Sequence, residues 1–549
     1  MEGTHFLTIF GTLRFLVKFL GFIFLPIVLY AETHYRFKYF FSFLNKREPE
    51  IITDAPHRLD PHDSLPILFF VKDADRYPCE LTEIAITLRD DFSSERIVLF
   101  SGVFSLTDRF WWRIYRVPVI GFHGFLESDV EFTIRWNGKF KKYHNDNYRT
   151  SSHKPLCTYI SDKKLPQFDN LFLGEIHSHS NYTSDQVEYG SPLGASIELG
   201  KAMGLSFFCV TDHSYDLDDS LDNYLEFDGT FPKWKALDDE VKHLNEQTGE
   251  FIIIKGEEVS CRNRLGQNVH FLLLNNERFL QGSGDSAERW LKTRSEHSIS
   301  DVLDIKEAES VSIAAHPFEP ISMLQRLLLR RGRWGKNDFE DDRLEGIQFI
   351  NGALTHGFHE GYTFWKEQLL SGKKMFLCAG NDAHGNFNRF RQIGIPFFLI
   401  REHGDQLFGK MRTGIYTTEF TQKAILTALK NGHSIATDGP AANLTKENSE
   451  TSIIGFSFPG EMKNFSLTAV STSEYGRLKN ITILAGAIGN DFEKVIFSTN
   501  SANEYSFKKN FEFSADRSSY IRAEVWTDSL DSCDKKSHFC LTNPFWVEG

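Results

Sequence analysis

Short apolar runs separated by polar residues and turn signals fill residues 50–160. Runs with alternating apolar and polar positions are typical of strands, and Asn137-Gly138 is a hairpin signal. The strand candidates are residues 83–88, 97–104, 110–117 and 130–136. The pattern predicts a β-sandwich-like domain over 50–160. No cluster of catalytic residue types occurs there, so we expect this domain to be structural or to form a wall beside a substrate.

The pattern changes between residues 168 and 440, where short apolar runs alternate with longer helix-like segments. The strand candidates are residues 171–173, 207–210, 251–254, 311–315, 347–350, 375–377 and 395–400. The helix candidates are residues 193–203, 234–248, 287–297, 301–309, 358–371 and 422–432. Strands that alternate with helices are typical of parallel βα units. The sequence therefore predicts an α/β domain over 168–440, built as a (β/α) barrel that is complete or one unit short.

Strand-like patterning returns in residues 450–549, with candidates at 466–470, 479–484, 520–525 and 545–547. A second β domain is the simplest interpretation, so β domains are expected on both sides of the α/β domain. The seven cysteines form no C-x-x-C pair. Cys533 and Cys540 could close a short disulfide in this last domain.

Residues 6–31 are mostly apolar and are interrupted by Arg14 and Lys18. The uninterrupted part, 19–31, resembles the apolar region of a signal peptide, and the whole stretch is long enough for a membrane anchor. A buried N-terminal helix of a cytoplasmic protein is the alternative. We therefore interpret residues 1–31 as a signal peptide or membrane anchor and expect an exported or membrane-anchored protein, with the periplasmic side favoured.

The overall charge argues against binding of long nucleic acids. The net charge is −13 and the pI is about 5.9, whereas nucleic-acid phosphates require an extended basic surface. Binding of a small anionic substrate would depend on local chemistry, most simply on metal ions. The sequence predicts no protein partner.

Nine side chains of the metal-ligand type follow successive strand candidates. They are His177, His179, Asp185, His213, Glu258, His270, His316, Asp382 and His384. Barrels build active sites from side chains at the carboxyl ends of their strands. One His-x-His motif is weak evidence, but its repetition over several strand ends predicts a polynuclear metal site. Imidazole and carboxylate ligands are compatible with zinc, manganese or iron.

The motifs around these residues resemble a known family. His-Ser-His179, Thr-Asp-His213, Gly-Glu-Glu258-Val-Ser, His270, Ala-His316-Pro and Asn-Asp382-Ala-His occur in this order between residues 171 and 385. The series resembles the PHP (polymerase and histidinol phosphatase) domain. The flanking β domains and the stretches 437–440 and 541–544 resemble its carbaryl hydrolase-like (CehA/McbA) branch. The resemblance implies a distorted (β/α)7 PHP barrel flanked by N-terminal and C-terminal β-sandwich-like domains.

The resemblance also implies a centre of two or three divalent ions. The first ion would be held by His177, His179, Glu258 and Asp382. Glu258 would bridge to a second ion held by His270 and His316, and the third would be held by Asp185, His213 and His384. Glu258 is preferred to Glu257 because it stands two positions before Ser260. Catalytic roles are expected for Asp382, His213 and Glu258.

The expected activity is metal-dependent hydrolysis, in which a metal-activated water cleaves a phosphoester bond in a small molecule. Hydrolysis of a carbamate or carboxylic ester by the same centre is the alternative. A non-catalytic, membrane-associated binding protein is the alternative from another class, because a fold alone does not establish an activity.

Arginines near the strand ends are candidates for contacting an anionic substrate. Arg262 follows the strand of Glu258, and Arg389 follows the loop of Asp382. A guanidinium matches phosphate geometry, so both are tentative substrate residues. The arginine-rich stretch 326–333 could bind an anionic surface, but a solvated helix face is the favoured interpretation.

Overall fold

A computed structural model describes residues 48–147, 153–183, 190–284, 292–389, 392–395, 398–401, 406–460, 464–500, 502–515 and 517–549. The described part contains 29 β-strands and seven α-helices, so the molecule is built mainly of β-sheet. Residues 1–31 and Asp185 lie outside the described residues, and the predictions made for them therefore remain predictions.

The first nine strands form two sheets that pack face to face. They are β1 (Glu50–Asp54), β2 (Arg58–Leu59), β3 (Ser64–Lys72), β4 (Cys79–Arg89), β5 (Ser94–Leu106), β6 (Phe110–Pro118), β7 (Gly124–Trp136), β8 (Lys139–His144) and β9 (Leu156–Ile160). One sheet has the order β1-β3-β6, and the other has the order β2-β9-β7-β4-β5, with β8 paired to β7. Because strand side chains alternate between faces, Phe69, Ile84 and Phe132 point inward and join one apolar cluster.

The central strands carry the candidate site. They are β10 (Leu171–Ser178), β11 (Phe207–Val210), β12 (Ile252–Arg262), β13 (Asn268–Leu274), β14 (Val311–Ala315), β15 (Gly346–Asn351), β16 (Phe376–Gly380), β17 (Gln392–Ile395), β18 (Phe398–Arg401), β19 (Arg412–Tyr416) and β20 (Ser434–Thr437). The helices are α1 (Leu193–Ala202), α2 (Ser214–Leu217), α3 (Pro232–Gln247), α4 (Ile299–Ile305), α5 (Met323–Leu328), α6 (His356–Leu370) and α7 (Gln422–Lys430), with a 3-10 helix at Lys336–Phe339.

The last strands extend the central sheet. They are β21 (Ala441–Lys446), β22 (Ser457–Pro459), β23 (Asn464–Val470), β24 (Leu478–Ala487), β25 (Lys494–Thr499), β26 (Ser506–Glu512), β27 (Ser519–Thr527), β28 (Phe539–Thr542) and β29 (Phe545–Glu548). A 15-stranded sheet runs β16-β15-β14-β13-β12-β11-β10-β19-β20-β28-β27-β24-β25, with β29 paired to β27 and β22 paired to β29. Strands β21, β23 and β26 form a separate three-stranded sheet.

The expected distorted (β/α)7 barrel is wrong. Strands β10, β11 and β12 pair in parallel, as do β14, β15 and β16. Strand β13, however, pairs antiparallel with both β12 and β14, so a hairpin replaces a βα unit in the middle of the series. The sheet also continues through β19 and β20 into the C-terminal strands. The molecule is consequently a β-rich protein around one long mixed sheet and has no helix-rich ring of βα units in its described residues.

Most of the individual elements lie where the sequence predicts them, with two differences. Residues 292–297 of the predicted helix 287–297 are not helical, and residues 285–291 lie outside the described residues. The predicted strand 395–400 is instead the hairpin of β17 and β18. The disulfide is also wrong, since Cys533 and Cys540 are both free thiols.

Buried ion pairs join the N-terminal sheets to the rest of the molecule. Arg58 donates to Glu474 through Nε and Nη2, both at 2.9 Å, and to Asp60 at 2.8 Å. Arg389 donates to Asp146 at 2.8 Å. Removing one partner from such a buried pair leaves an uncompensated charge, which costs about 3–5 kcal/mol. These pairs therefore fix how the N-terminal sheets sit against the central sheet.

Within the described residues, no helix is both long and apolar enough to span a bilayer.

A buried histidine links the end of β20 to the start of β28. His538 Nδ1 lies 3.0 Å from Asp438 Oδ2, and its Nε2 lies 3.1 Å from Asp534 Oδ1. Burial alone would lower the pKa of His538, but Asp438 and Asp534 outweigh burial and raise the pKa to about 9. The protonated ring is therefore the form that stabilises the fold.

The stability contributed by His538 should depend on pH. Because its pKa in the folded state lies above the ordinary 6.5, the contribution is complete below that value and is lost as the pH rises through 9. We expect the variant His538→Asn to lose on the order of 2–3 kcal/mol of unfolding free energy at about pH 6 and much less near pH 10. Urea unfolding of both proteins across this range measures the difference, and a difference that does not change with pH would contradict the assignment.

Candidate metal centre

Eight of the nine predicted metal-ligand residues meet at one edge of the central sheet. His177 lies in β10, Glu258 in β12 and His270 in β13, while the others follow a strand end directly: His179 after β10, His213 after β11, His316 after β14, and Asp382 and His384 after β16. Asp185 lies outside the described residues. Side chains from six strands thus converge although the strands do not form the expected barrel.

The Glu258 carboxylate is the centre of this group. Its Oε1 lies 2.6 Å from His270 Nδ1, 3.0 Å from His316 Nε2 and 3.4 Å from His177 Nε2. Its Oε2 lies 2.8 Å from His213 Nδ1 and 3.5 Å from His179 Nε2. The side chain is fully buried, so its charge is compensated by imidazoles rather than by water.

Asp382 is the second carboxylate of the group. Its Oδ1 accepts a hydrogen bond from His179 Nε2 at 3.1 Å and lies 3.5 Å from His177 Nε2. His177, His179, Glu258 and Asp382 are the four residues that the PHP resemblance assigns to one ion. Their ligand atoms all lie within 4.8 Å of one another.

Two further groups of potential ligands share residues with the first. His179, His213 and His384 form one, with 3.4 Å between Nε2 of His384 and Nε2 of His213. His213, Glu258 and His270 form the other. The structure thus places His213 beside Glu258 as well as beside His384, whereas the resemblance assigns it to the third ion alone.

The two carboxylates are held as anions. Burial alone would raise the pKa of Glu258, but His270, His177 and His213 hold it well below the usual range. The pKa of Asp382 is likewise well below its usual range, because His177 and His179 outweigh the effect of burial. Burial and the neighbouring His179 lower the pKa of His213 to about 3, so that ring is neutral and able to act as a ligand.

The backbone at the site is strained at two ligand positions. His316 has φ of 27° and Asp382 has φ of 53°, the left-handed region that residues with a Cβ seldom adopt. His179 N donates to Ala383 O at 2.8 Å, which joins the Asp382 loop to the end of β10. Strain of this kind costs about 1–3 kcal/mol per residue and clusters at functional sites.

Sequence reasoning missed Gln348, which orients His177. His177 Nδ1 donates to Gln348 Oε1 at 2.9 Å, and Gln348 Nε2 donates to Asn351 Oδ1 at 3.1 Å. Since Nδ1 carries the proton, the lone pair of a neutral His177 is on Nε2, the atom that faces Glu258 and Asp382. A glutamine within an apolar strand, at position 348 of β15, is the only sequence signal for this role.

Sequence reasoning also missed Glu175, which joins three segments under the site. Its carboxylate accepts hydrogen bonds from the backbone N–H of His177, Asn381 and Gly409 at 3.0, 3.0 and 2.9 Å, and from the Asn381 side chain. Burial raises the pKa of Glu175 to about 7. A charged residue at a fully buried strand position was its sequence signal.

Two acidic neighbours of the ligands have structural contacts instead. Asp212 accepts from Ser180 N, Ser180 Oγ and Thr183 Oγ1 at 2.7, 2.6 and 2.9 Å, and so fixes the loop after His179. Glu257 accepts from Leu280 N at 3.1 Å and from the side chain of Asn276. The structure thus brings Glu258, and not Glu257, to the centre.

Neither tentative substrate arginine reaches the site. Arg262 lies beside Glu296 and Asp301, away from the cavity over the ligands. Arg389 is buried in its ion pair with Asp146 and donates to Asn145 O at 3.0 Å. The sequence interpretation of both arginines is therefore corrected. Each guanidinium binds a carboxylate or a carbonyl outside the cavity.

A cavity of about 510 Å³ opens over the ligands. His213, His270, His316, Asp382 and His384 line its floor. Arg331 lines its wall, with Nη2 3.2 Å from His270 Nδ1, together with the apolar side chains of Tyr215, Ile321 and Trp334. The arginine-rich stretch 326–333 therefore contributes to the cavity, contrary to the expectation of a purely solvated face.

The residues present fit divalent metal ions. His177 Nε2 is buried without a hydrogen bond within the described residues, and it lies 3.4 Å from Glu258 Oε1 and 3.5 Å from Asp382 Oδ1. Buried polar atoms are nearly always satisfied, so an unsatisfied imidazole nitrogen beside two carboxylates is characteristic of a ligand set. Mixed imidazole and carboxylate donors suit zinc, manganese or iron.

Comparisons with known proteins provide no relative. No protein-family model matches the chain, and no curated protein matches it. One similar solved structure is a cycloisomaltooligosaccharide glucanotransferase of Paenibacillus sp. complexed with cycloisomaltoheptaose, at 10% identity and a TM-score of 0.16, with 90% of this chain and 71% of that chain covered. A likeness this small supports no inference about fold or activity.

Asp212 should be necessary for the loop that follows His179. The variant Asp212→Ala leaves three buried donors without an acceptor, and hydrogen bonds to charged groups contribute about 1.5–3 kcal/mol each. We expect a loss of about 3 kcal/mol or more in the free energy of unfolding, measured with urea.

Asp90 provides a matched control, because it also accepts from three donors, Phe92 N, Ser93 N and Ser93 Oγ, but in an exposed turn. Water replaces those bonds in Asp90→Ala, so we expect a much smaller loss than in Asp212→Ala. Equal losses in the two variants would contradict the role assigned to Asp212.

Proposed function

We propose that the protein is a metal-dependent hydrolase of the PHP type that cleaves phosphoester bonds in small molecules. The observation that carries the proposal is the buried Glu258 carboxylate, which lies within 3.5 Å of ring nitrogens from five histidines. The structural carboxylates Glu175 and Asp212 are bound instead by backbone amides and by amide or hydroxyl side chains. The proposal depends on this set of donor atoms and does not depend on a barrel fold.

The ligand groups indicate which residues would hold the ions. His177, His179, Glu258 and Asp382 would hold one, while His213, His270, His316 and His384 surround Glu258 and Asp382 and would complete two further positions. Divalent ions in such a cluster would supply Lewis-acid chemistry, activating water near neutral pH and stabilising charge on a phosphoryl or carbonyl oxygen. Zinc, manganese and iron all suit the donors.

The protein's own groups would bind and orient the substrate. Asp382 lines the cavity with a carboxylate that can accept a proton from the attacking water, and Gln406 Nε2 donates to its Oδ2 at 3.4 Å. His213 also lines the cavity, and its Nε2 lies 3.4 Å from Nε2 of His384, where both neutral rings would face an ion. Arg331 places a guanidinium on the wall, where it can bind a phosphate oxygen. These positions favour an anionic substrate.

Hydrolysis of a carbamate or carboxylic ester is the second candidate. One observation favours it: Tyr215, Ile321 and Trp334 give the cavity an apolar wall that an aromatic leaving group would fill. The volume of about 510 Å³ falls in the range of small-molecule sites. A binding protein without activity would use the same cavity and would show no turnover.

The first test combines elemental analysis with hydrolysis assays of the purified full chain. We expect two to three metal ions per chain and turnover of p-nitrophenyl phosphate or bis-p-nitrophenyl phosphate in preference to 1-naphthyl N-methylcarbamate. The variant His177→Ala loses one of the four residues that would hold the first ion. Its metal content should therefore fall, and its kcat/KM should be lower by about 100-fold or more.

The variant His144→Ala is the control, since His144 pairs with Asp129 on the surface of the N-terminal sheet. It should keep the metal content and the activity of the wild type. Turnover of the carbamate alone would select the second candidate. Metal-free protein with no turnover after addition of zinc or manganese would leave only the binding function.

A second test addresses the orientation of His177. Gln348→Ala removes the acceptor for His177 Nδ1, and loss of such a partner weakens metal affinity about 10–100-fold. Gln348→Glu keeps an oxygen in place and should retain most of the affinity. Titration calorimetry of metal-stripped protein with zinc measures both, and Gln422→Ala, which removes a bond to Asn275 far from the site, is the control. Equal affinity in the Ala and Glu variants would contradict the positioning role.

A further inference from the structure

An exposed apolar and cationic surface lies beside the mouth of the cavity. Met323 and Leu327 of α5 are 86% and 67% exposed, and Leu265 at the tip of the β12–β13 hairpin is 80% exposed. Arg326 in α5 and Arg330 just after α5 are also exposed. We name these five residues the arginine rim.

The two parts of the rim are tied together by one buried residue. Asn268 Nδ2 donates to Leu329 O at 2.7 Å, and Asn268 N donates to Arg330 O at 3.0 Å. Gly332 N donates back to Asn268 O at 2.8 Å. The backbone at the end of α5 is therefore joined to the β12–β13 hairpin.

The charges of the rim are positive. The sequence has no acidic residue between Glu319 and Asp338, although the whole chain carries a net charge of −13. On the flanks, Glu340 pairs with Arg264 and Glu360 pairs with Arg333. Arg326 and Arg330 form no ion pair within the described residues, so their charge is available to an anionic partner.

We propose that the arginine rim docks onto an anionic lipid surface. Apolar side chains that insert at the headgroup boundary, flanked by arginines that attract anionic lipids, are the chemistry of interfacial binding. Side chains as exposed as Met323 and Leu265 stand out from the surface, which suits a bilayer and does not suit a groove for a peptide helix. The apolar sequence 6–31, interpreted above as a signal peptide or a membrane anchor, would hold the chain at a membrane in the second case.

The arginine rim lies next to residues of the cavity wall. Gln325 and Arg331, which neighbour the rim residues in sequence, line the cavity wall. Docking would therefore bring the cavity mouth to the lipid surface. The proposal does not depend on the proposed hydrolase, because lipid binding is measured without turnover.

Hydrogen exchange of the full chain tests the proposal with a local readout, which separates the rim from any contribution of residues 1–47. The probes are vesicles of phosphatidylcholine with and without phosphatidylglycerol. We expect slower exchange of amides in 263–266 and 322–330 with the anionic vesicles, and little change with the neutral ones. The loop around Leu530, which is 75% exposed, should not change.

Variants provide the second measurement. Arg326→Glu with Arg330→Glu should weaken vesicle binding by roughly tenfold or more, since each basic residue near an anionic surface changes affinity about fivefold. Met323→Glu with Leu327→Glu should abolish the slowed exchange at the rim, including residues 263–266. Leu530→Glu is the matched control and should bind like the wild type.

Three outcomes would overturn the proposal: unchanged exchange at the rim while vesicles bind, equal slowing at the Leu530 loop, or slowing that appears without lipid as the protein concentration rises. The last outcome would identify a second copy of the chain as the occupant.

Discussion

Glu258 is a fully buried carboxylate, and its burial constrains the whole central sheet. Moving a carboxylate out of water costs several kcal/mol unless nearby groups compensate it. The compensating imidazoles come from five separate places along the chain, His177, His179, His213, His270 and His316. His177 and His270 lie within strands, so a shift of one residue in register would turn either ring to the other face of the sheet. This cluster of imidazoles and carboxylates is therefore both a result of the strand order and a constraint on it.

The supports of the cluster show why it is specific. Glu175 joins β10 to the Asn381 and Gly409 segments, and Asp212 fixes the loop after His179. Gln348 sets the tautomer of His177 through a single hydrogen bond. These residues do not face the cavity, yet each holds a ligand or its loop in place. Groups of this kind determine whether a set of donors is a site or only a coincidence of polar residues.

Much of the local structure and of the site could be read from the sequence. Apolar runs located the strands, and eight of the nine ligand-type residues lie close together in the structure. The predicted arrangement of the strands was wrong. An apolar run in the sequence indicates a strand, but it does not indicate which strand it pairs with or in which direction. Nothing in residues 252–274 other than the turn at Asn263–Gln267 distinguishes a hairpin from a βα unit, and the antiparallel β13 follows from that turn. The sequence did not distinguish Arg331 from the exposed arginines at 326 and 330. Only the fold shows that the Arg331 side chain lines the cavity.

Asn268 connects the cavity to its outer rim. Two residues further along β13 is His270, whose Nδ1 lies 2.6 Å from Glu258, while the Asn268 side chain holds Leu329 O at the end of α5. Trp334 Nε1 donates to His270 O at 3.1 Å and closes the same segment from the other side. The cavity wall that contains Arg331 is thus hydrogen-bonded to β13, the strand that carries the metal-ligand candidate His270.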